Sequence, residues 1–390
     1  MSGTIAPELH APGAGHRSLG KSLLLTLPVL LWALLMFSGS LTLPGRAPKL
    51  AALLTLIFMV GLFFLMVRTR RTYRWRRIFF VTLGLLFPVG FIWDLIAVRG
   101  SMSIPIERMI SGDTPFCFLA IPMMIVPAAL TRTLIFPGSI LPTPSNPHAV
   151  ASMIGIWLAA TLVLGKGWCS YGCFFGGIEE GSAALPKKAR IRHLDQRWTW
   201  VPWAVLAAVV LISAATFEPI YCSWLCPFKA VTEYPEVRSA ETAIQAGVFG
   251  SLFVGLVLVL PFLTRRRTQC AFFCPFGAFQ SLSNKLSVFD VRINPEACGE
   301  CATCRTSCPT LSLSPESVKR GRTHLSCIKC GACVDACTRG AARGHIKGTS
   351  LTASPETARL RYLFPAWGFA TMFGGSIIAN SLAKLLQFLV

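Results

Sequence analysis

Eight cysteines near the C-terminus fall into two copies of one spacing, C-x2-C-x2-C-x3-C. The first copy is Cys298, Cys301, Cys304 and Cys308, followed by Pro309; the second is Cys327, Cys330, Cys333 and Cys337. This spacing folds a short loop around a 4Fe-4S cubane so that each thiolate reaches a separate iron. Two copies about twenty residues apart predict a two-cluster ferredoxin module, in which the fourth cysteine of each run ligates the other cluster. One cluster would take Cys298, Cys301, Cys304 and Cys337; the other would take Cys327, Cys330, Cys333 and Cys308. Zinc motifs usually pair two C-x2-C units at longer separation, so zinc and disulfides are the weaker readings. Thr338 stands where Pro is usual in the second copy.

Six more cysteines form three C-x3-C pairs: Cys169/Cys173 in GKGWCSYGCFFGG, Cys222/Cys226 in YCSWLCPF and Cys270/Cys274 in TQCAFFCPFG. A spacing of four puts both thiols on one face of a helical turn, so two pairs complete one four-thiolate set. The first and third pairs look like a repeat: a helix, a basic residue, the pair, then glycine. They are expected to share one further 4Fe-4S cluster, with Lys166, Arg266 and Arg267 offsetting the thiolate charge. Cys222/Cys226 leaves several readings open. With Cys117 and a fourth ligand such as His148 it could hold an outer cluster. It could also form a redox-active disulfide, turn back to join the inner set, or simply pack.

The elements that must position these residues are membrane helices. Only 14% of the 390 residues are charged and 53% are hydrophobic, with a mean hydropathy of +0.58; a soluble chain carries nearer a quarter charged residues. The net charge of +20 comes from 37 Lys and Arg against 17 Asp and Glu. Those basic residues cluster in short loops beside apolar runs, which is the positive-inside pattern, so no nucleic-acid partner is expected. Seven apolar runs read as spans: Leu23–Leu43, Leu50–Val67, Ile78–Val98, Ala149–Leu164, Trp200–Phe217, Ile244–Leu263 and Phe364–Leu382. The first lacks a small-residue cleavage site and reads as an uncleaved helix. Phe116–Leu130, broken by Pro122 and Pro127, reads as re-entrant or interfacial. Basic loops at 68–77, 187–192 and 265–267 then share one side with the ferredoxin module.

The expected fold is therefore an all-α membrane protein of about seven transmembrane helices carrying a small cytoplasmic α+β ferredoxin module. Its parts are a loose cytoplasmic N-terminus (1–21), three membrane helices (22–98), an extracytoplasmic or re-entrant segment (99–148), membrane helices bearing the three pairs (149–289), the module (290–348) and a last membrane helix (349–390). Fifteen cysteines would suggest disulfides in an oxidising compartment; most here have cluster spacing, which places the module on the reducing side of a bacterial inner membrane.

The combination of spans, C-x3-C pairs at helix ends and a C-terminal two-cluster module resembles the NapH/NosR-type membrane polyferredoxins. GKGWCSYGCFFGG and CAFFCPFG are similar to that family's G-x-x-F/W-C-x-x-x-C-P-F/L-G signature, and the resemblance covers roughly Gly165 to Gly340. Phe174 replaces the Pro of that signature. The resemblance implies electron transfer between a quinone pool and a partner such as a periplasmic reductase or cytochrome, or electron delivery during cofactor maturation; separately, the net basic module could steer an acidic cytoplasmic flavodoxin or ferredoxin to itself. The resemblance also implies that any flavin sits on a partner, because the large flavin-binding domain of NosR-type proteins is not seen. Residues 110–115 share only a short likeness with a site of covalent FMN attachment, with Asp113 in place of Ala. FMN on Thr114 is not expected, and Gly112 and Pro115 read as a turn.

Asp94 in the third span is a candidate proton acceptor for quinone chemistry. Glu179 and Glu180, beside the first pair, are weaker candidates and read as interfacial. The alternative function is an assembly factor of CcoG type, supplying electrons for a metal centre; the extracytoplasmic β-domain usual there is not expected after the last span. A cluster-based redox sensor is a third class, with no signalling domain recognised. No c-type haem motif, Rossmann fingerprint or P-loop is found, so an electron-transfer subunit is expected rather than a complete enzyme.

Overall fold

The computed structural model describes residues 15–97, 150–192, 194–216, 220–232, 237, 239–350 and 354–387. Cys117, Thr114 and His148 lie outside these, as does the Phe116–Leu130 run. Among the described residues, nine helices carry the architecture: α1 (Leu19–Thr42), α2 (Arg46–Thr69), α3 (Thr72–Ala97), α4 (Val150–Leu164), α5 (Phe174–Ala184), α6 (Val201–Thr216), α7 (Ala240–Thr264), α8 (Pro275–Leu286) and α9 (Pro355–Gln387). Among the described residues, five helical stretches are long and apolar enough to cross a membrane: α1, α2, Gln196–Thr216, α7 and α9. All seven expected runs fall on helices, the other two on α3 and α4.

These helices are apolar on their outward faces as well. Leu24, Leu31 and Leu35 on α1, Ile57 on α2 and Leu211 on α6 are all exposed. Water would penalise such a surface, whereas lipid tails accept it. The chain is a membrane protein. Inside, Phe63, Phe79, Trp168, Trp367 and Phe369 form the centre of the core. The Trp367 indole donates to the Met59 carbonyl at 3.1 Å, which satisfies its one polar atom in that apolar setting.

The ferredoxin module is closed by a two-stranded antiparallel sheet, β1 (Phe289–Ile293) and β2 (Ala342–Ile346), paired from Phe289↔Ile346 to Ile293↔Ala342. Both cysteine runs lie between these strands, so closing the sheet closes the module. Directly opposite residues Asp290 and His345 pair at 2.8 Å, and Arg292 joins Asp290 at 2.7 Å. Val291, Ile293 and Ala342 face inward against Cys308 and Cys333.

The basic loops meet the module at one end of the molecule. Asp335 accepts from the Tyr73 backbone N–H at 2.7 Å, and Arg359 bridges Asp335 and the Thr72 hydroxyl. Arg266 donates to the Cys308 carbonyl, and Arg265 reaches the Lys187 carbonyl at 2.9 Å. Thus all three basic loops lie on the side that holds the module.

Candidate metal centres

The two cysteine runs of the module share one backbone shape. Glu300 and Lys329 each precede the second cysteine of their run, and both have φ of 51°. Ala302 and Gly331 follow that cysteine, with φ of 58° and 85°. Left-handed residues at these positions turn successive N–H groups toward the inside of the loop, the arrangement that binds anions and iron–sulfur clusters. Ala302 and Lys329 hold this conformation against their own Cβ.

Cys298, Cys301, Cys304 and Cys337 line one cavity of about 120 Å³, together with Ile293, Val318 and Ala342. The fourth cysteine of the second run thus meets the first three of the first run. Cys327, Cys330 and Cys333 each interact electrostatically with Cys308 in turn. Cys333 also senses Cys304, so the two groups are neighbours. Burial pushes the Cys330 thiol up to about 12, with Cys308 adding and Arg76 opposing. Four crowded, buried thiols need a compensating cation to ionise together, and an iron–sulfur core supplies one. Backbone N–H groups already point at sulfur: Ser312 to Cys308 at 3.2 Å and Ala342 to Cys337 at 3.5 Å. These observations fit 4Fe-4S clusters.

The first and third C-x3-C pairs come together. Cys169 and Cys270 pack in one buried side-chain cluster, and Cys173 and Cys274 both lie close enough to interact with Cys270. The Gly277 N–H points at the Cys274 sulfur at 3.3 Å. Among the described residues no three His, Cys, Asp or Glu side chains have single-ion spacing; a cubane needs a wider set, one thiolate per iron.

Two buried ion pairs brace this group reciprocally. Arg267, from the third repeat, donates to the Cys169 carbonyl at 2.9 Å in the first. Glu179, from the first repeat, accepts from the Gln269 and Cys270 N–H groups at 2.6 and 3.3 Å in the third. Arg267 and Glu179 themselves approach to 3.5 Å, and both are 1% exposed. Arg76 of α3 pairs with Glu180 and donates to the Ser170 carbonyl at 2.8 Å. Glu179 and Glu180, expected at the interface, are both buried within the protein, where each meets an arginine that offsets the cost of an isolated charge. Arg76 belongs to the basic stretch 68–77, whose sequence alone gives no sign of this buried pairing. Arg266 reaches the module at Cys308 instead of the membrane thiols, while Lys166 bonds Ser281 at 2.8 Å beside Cys169 and Cys270.

How deep these groups lie follows from α5. It runs antiparallel along α3: Phe174 stacks on Phe87 at 3.6 Å, Gly177 packs on Gly84, and Glu180 meets Arg76. A Cβ on Gly177 would strike the Phe80 carbonyl, and one on Gly84 the Gly177–Ile178 backbone. Phe87 is 15 residues along α3 from Thr72, where the module docks, or about 22 Å at 1.5 Å per residue. The Cys169–Cys173 loop therefore dips inward from the docking end before α5 returns.

The middle pair joins the same region. Tyr221 accepts a hydrogen bond from Gln269 at 3.1 Å, next to Cys270, and Phe228 stacks on Phe175 at 3.8 Å, next to Phe174. Cys226 is buried in the core against which Cys173 and Cys274 pack. Cys222 lies in the π-helical turn Tyr221–Leu225. The segment thus turns back toward the other pairs, one of the arrangements considered from sequence. Asp94 lies on α3.

Comparison with known proteins bears on this arrangement. A 4Fe-4S dicluster domain model matches residues 290–338. A 4Fe-4S binding domain model matches three times, at 146–192, 199–239 and 246–294, so each C-x3-C pair has its own repeat, the middle one included. The putative electron transport protein YccM of Escherichia coli is 28% identical over 200 residues, 49% of this chain and 54% of YccM. NapH of Haemophilus influenzae, a ferredoxin-type protein, is 26% identical over 187 residues, 45% of this chain and 61% of NapH. NosR of Pseudomonas aeruginosa, a regulatory protein, is 27% identical over 180 residues, 44% of this chain and 24% of NosR. Along its cysteine-bearing part the chain is similar to the NapH/NosR-type membrane ferredoxin-type proteins. It spans less than two thirds of the length of each of these relatives. No solved structure matches it.

Proposed function

We propose that this chain carries electrons between the docked module and the membrane interior, linking a quinone pool or cytoplasmic donor to a partner oxidoreductase. The observation that carries this reading is a single buried contact group: Cys169 and Cys270 of the membrane pairs pack with Ile328, Cys330 and Ala332 of the module. The Ser170 hydroxyl donates to the Ile328 carbonyl at 2.7 Å, and Lys329 to the Leu164 carbonyl at 3.0 Å, fixing one against the other. The second cysteine run and the inner pairs thus share one buried side-chain cluster.

In this reading Cys298, Cys301, Cys304 and Cys337 hold one 4Fe-4S cluster. Cys308, Cys327, Cys330 and Cys333 hold a second. Cys169, Cys173, Cys270 and Cys274 hold a third. When bound, such clusters store and pass one electron with little rearrangement. The protein fixes the thiolates, directs backbone N–H groups at sulfur and excludes water. Seven crossings, with the module on the cytoplasmic face of a bacterial inner membrane, complete the proposal. The basic loops support that orientation.

Iron and acid-labile sulfide per chain test the ligation after anaerobic purification. About twelve irons are expected, and about eight would remove the membrane cluster from the reading. About sixteen would add a further cluster at Cys222/Cys226. Anaerobic addition of a quinol analogue should bleach cluster absorbance; no bleaching would break the quinone link.

A further inference from the structure

We propose a binding site for the phosphate of an anionic phospholipid, with room for its acyl chain, where α1, α2 and α9 converge near the module. The site is a groove of about 550 Å³. Arg17, Lys21 and Arg70 line it, with Leu24, Leu25 and Leu360 below. Among the lining residues Glu356 is the one carboxylate against these three cations: Arg17 pairs with it, and Arg70 approaches it at 3.5 Å.

The charge is held in place rather than waving in solvent. The Arg17 side chain is 10% exposed, and its Nη1 has no hydrogen-bond partner among the described residues. Its backbone is clamped by the Arg68 carbonyl at 3.0 Å, and its own carbonyl accepts from the Arg68 guanidinium at 3.2 Å. A buried guanidinium with an idle N–H is costly unless something fills that position. Two helix N-termini point to the same place. Ser18 precedes α1 and makes no side-chain cap, and the first turn of α1 has no acidic residue. Ser354 precedes α9. Unsatisfied N–H groups and the helix dipole both favour an anion there.

The same features distinguish a lipid from free phosphate. Leu24, at 70% exposure, and Leu25 continue the groove down the apolar outer face of α1. A phosphodiester at the basic end would leave an acyl chain along these leucines. Basic pockets between transmembrane helices at the inner interface take anionic headgroups in this way.

The test uses the full cluster-loaded chain in detergent, with phosphatidylglycerol, phosphatidylcholine and inorganic phosphate as probes. Bound lipid is counted by native mass spectrometry, and stabilisation is followed by thermal unfolding. Phosphatidylglycerol should bind and raise the unfolding temperature, with phosphatidylcholine at least roughly tenfold weaker. Arg17→Gln and Arg70→Gln should each weaken phosphatidylglycerol about fivefold, and together about thirtyfold. Glu356→Gln should strengthen it, a direction that mere damage to the fold would not produce, so it decides the matter if Arg17→Gln fails to fold. Equal binding of the two lipids, or unchanged affinity in Arg70→Gln, overturns the proposal. Inorganic phosphate binding as tightly as phosphatidylglycerol overturns the lipid assignment in favour of a free-phosphate site.

Discussion

At the scale of single residues, the cysteines are held by groups other than their immediate neighbours in sequence. Glu179 caps the turn that carries Cys270, and Arg267 holds the turn that carries Cys169. Each repeat therefore positions the cysteines of the other. Removing one partner of such a buried pair leaves the other charge uncompensated, at a cost of about 3–5 kcal/mol. Arg267→Ala should lower the thermal unfolding midpoint sharply and reduce iron toward about eight per chain, with the module signals retained. Retention of about twelve irons in Arg267→Ala would show that the brace does not position the thiols.

The element scale turns on how closely α5 approaches α3. Gly84 and Gly177 let the two backbones touch, which small residues allow between membrane helices. That contact sets the level at which Cys173 enters the bundle, because Phe174 and Phe87 stack at its end. Gly177→Ala should cost about 1–3 kcal/mol by overpacking against the Phe80 carbonyl. Gly181→Ala is the control, since a Cβ there meets only Val81 side-chain carbons at 3.4 Å and beyond. Thermal unfolding in one detergent should separate the two; equal midpoints would contradict the close packing.

Across the whole molecule, the module is fastened to the membrane bundle at several points at once. Asp335 grips the start of α3, Lys329 the end of α4, and Ser170 reaches up to Ile328. Asp335→Ala should release the Tyr73 amide, losing a charge-assisted hydrogen bond of about 1.5–3 kcal/mol. Hydrogen exchange at Tyr73 should then be at least roughly tenfold faster, with iron content unchanged. An unchanged exchange rate would mean that other contacts alone hold the module on α3.

The spacing of the cysteines by itself pointed to the class of cofactor, because a cubane loop is a local structure, and it predicted that Cys337 would meet Cys298, Cys301 and Cys304, which line one cavity. Composition determined the membrane setting, since helices apolar on every face have no stable place in water. Charge in the short loops put 68–77, 187–192 and 265–267 on one side with the module, and the contacts at Tyr73, Lys187 and Arg266 agree. Only the tertiary structure decided the rest. That Cys169 and Cys270 share one buried side-chain cluster with Cys330 depends on residues far apart in sequence, and no local pattern encodes it. The return of the Cys222/Cys226 segment toward the other pairs depends on Phe228 meeting Phe175 and Tyr221 meeting Gln269. The roles of Arg76 and Glu180 were equally hidden, because a charge in a basic loop and one beside a glycine-rich turn look solvated until burial forces them to pair.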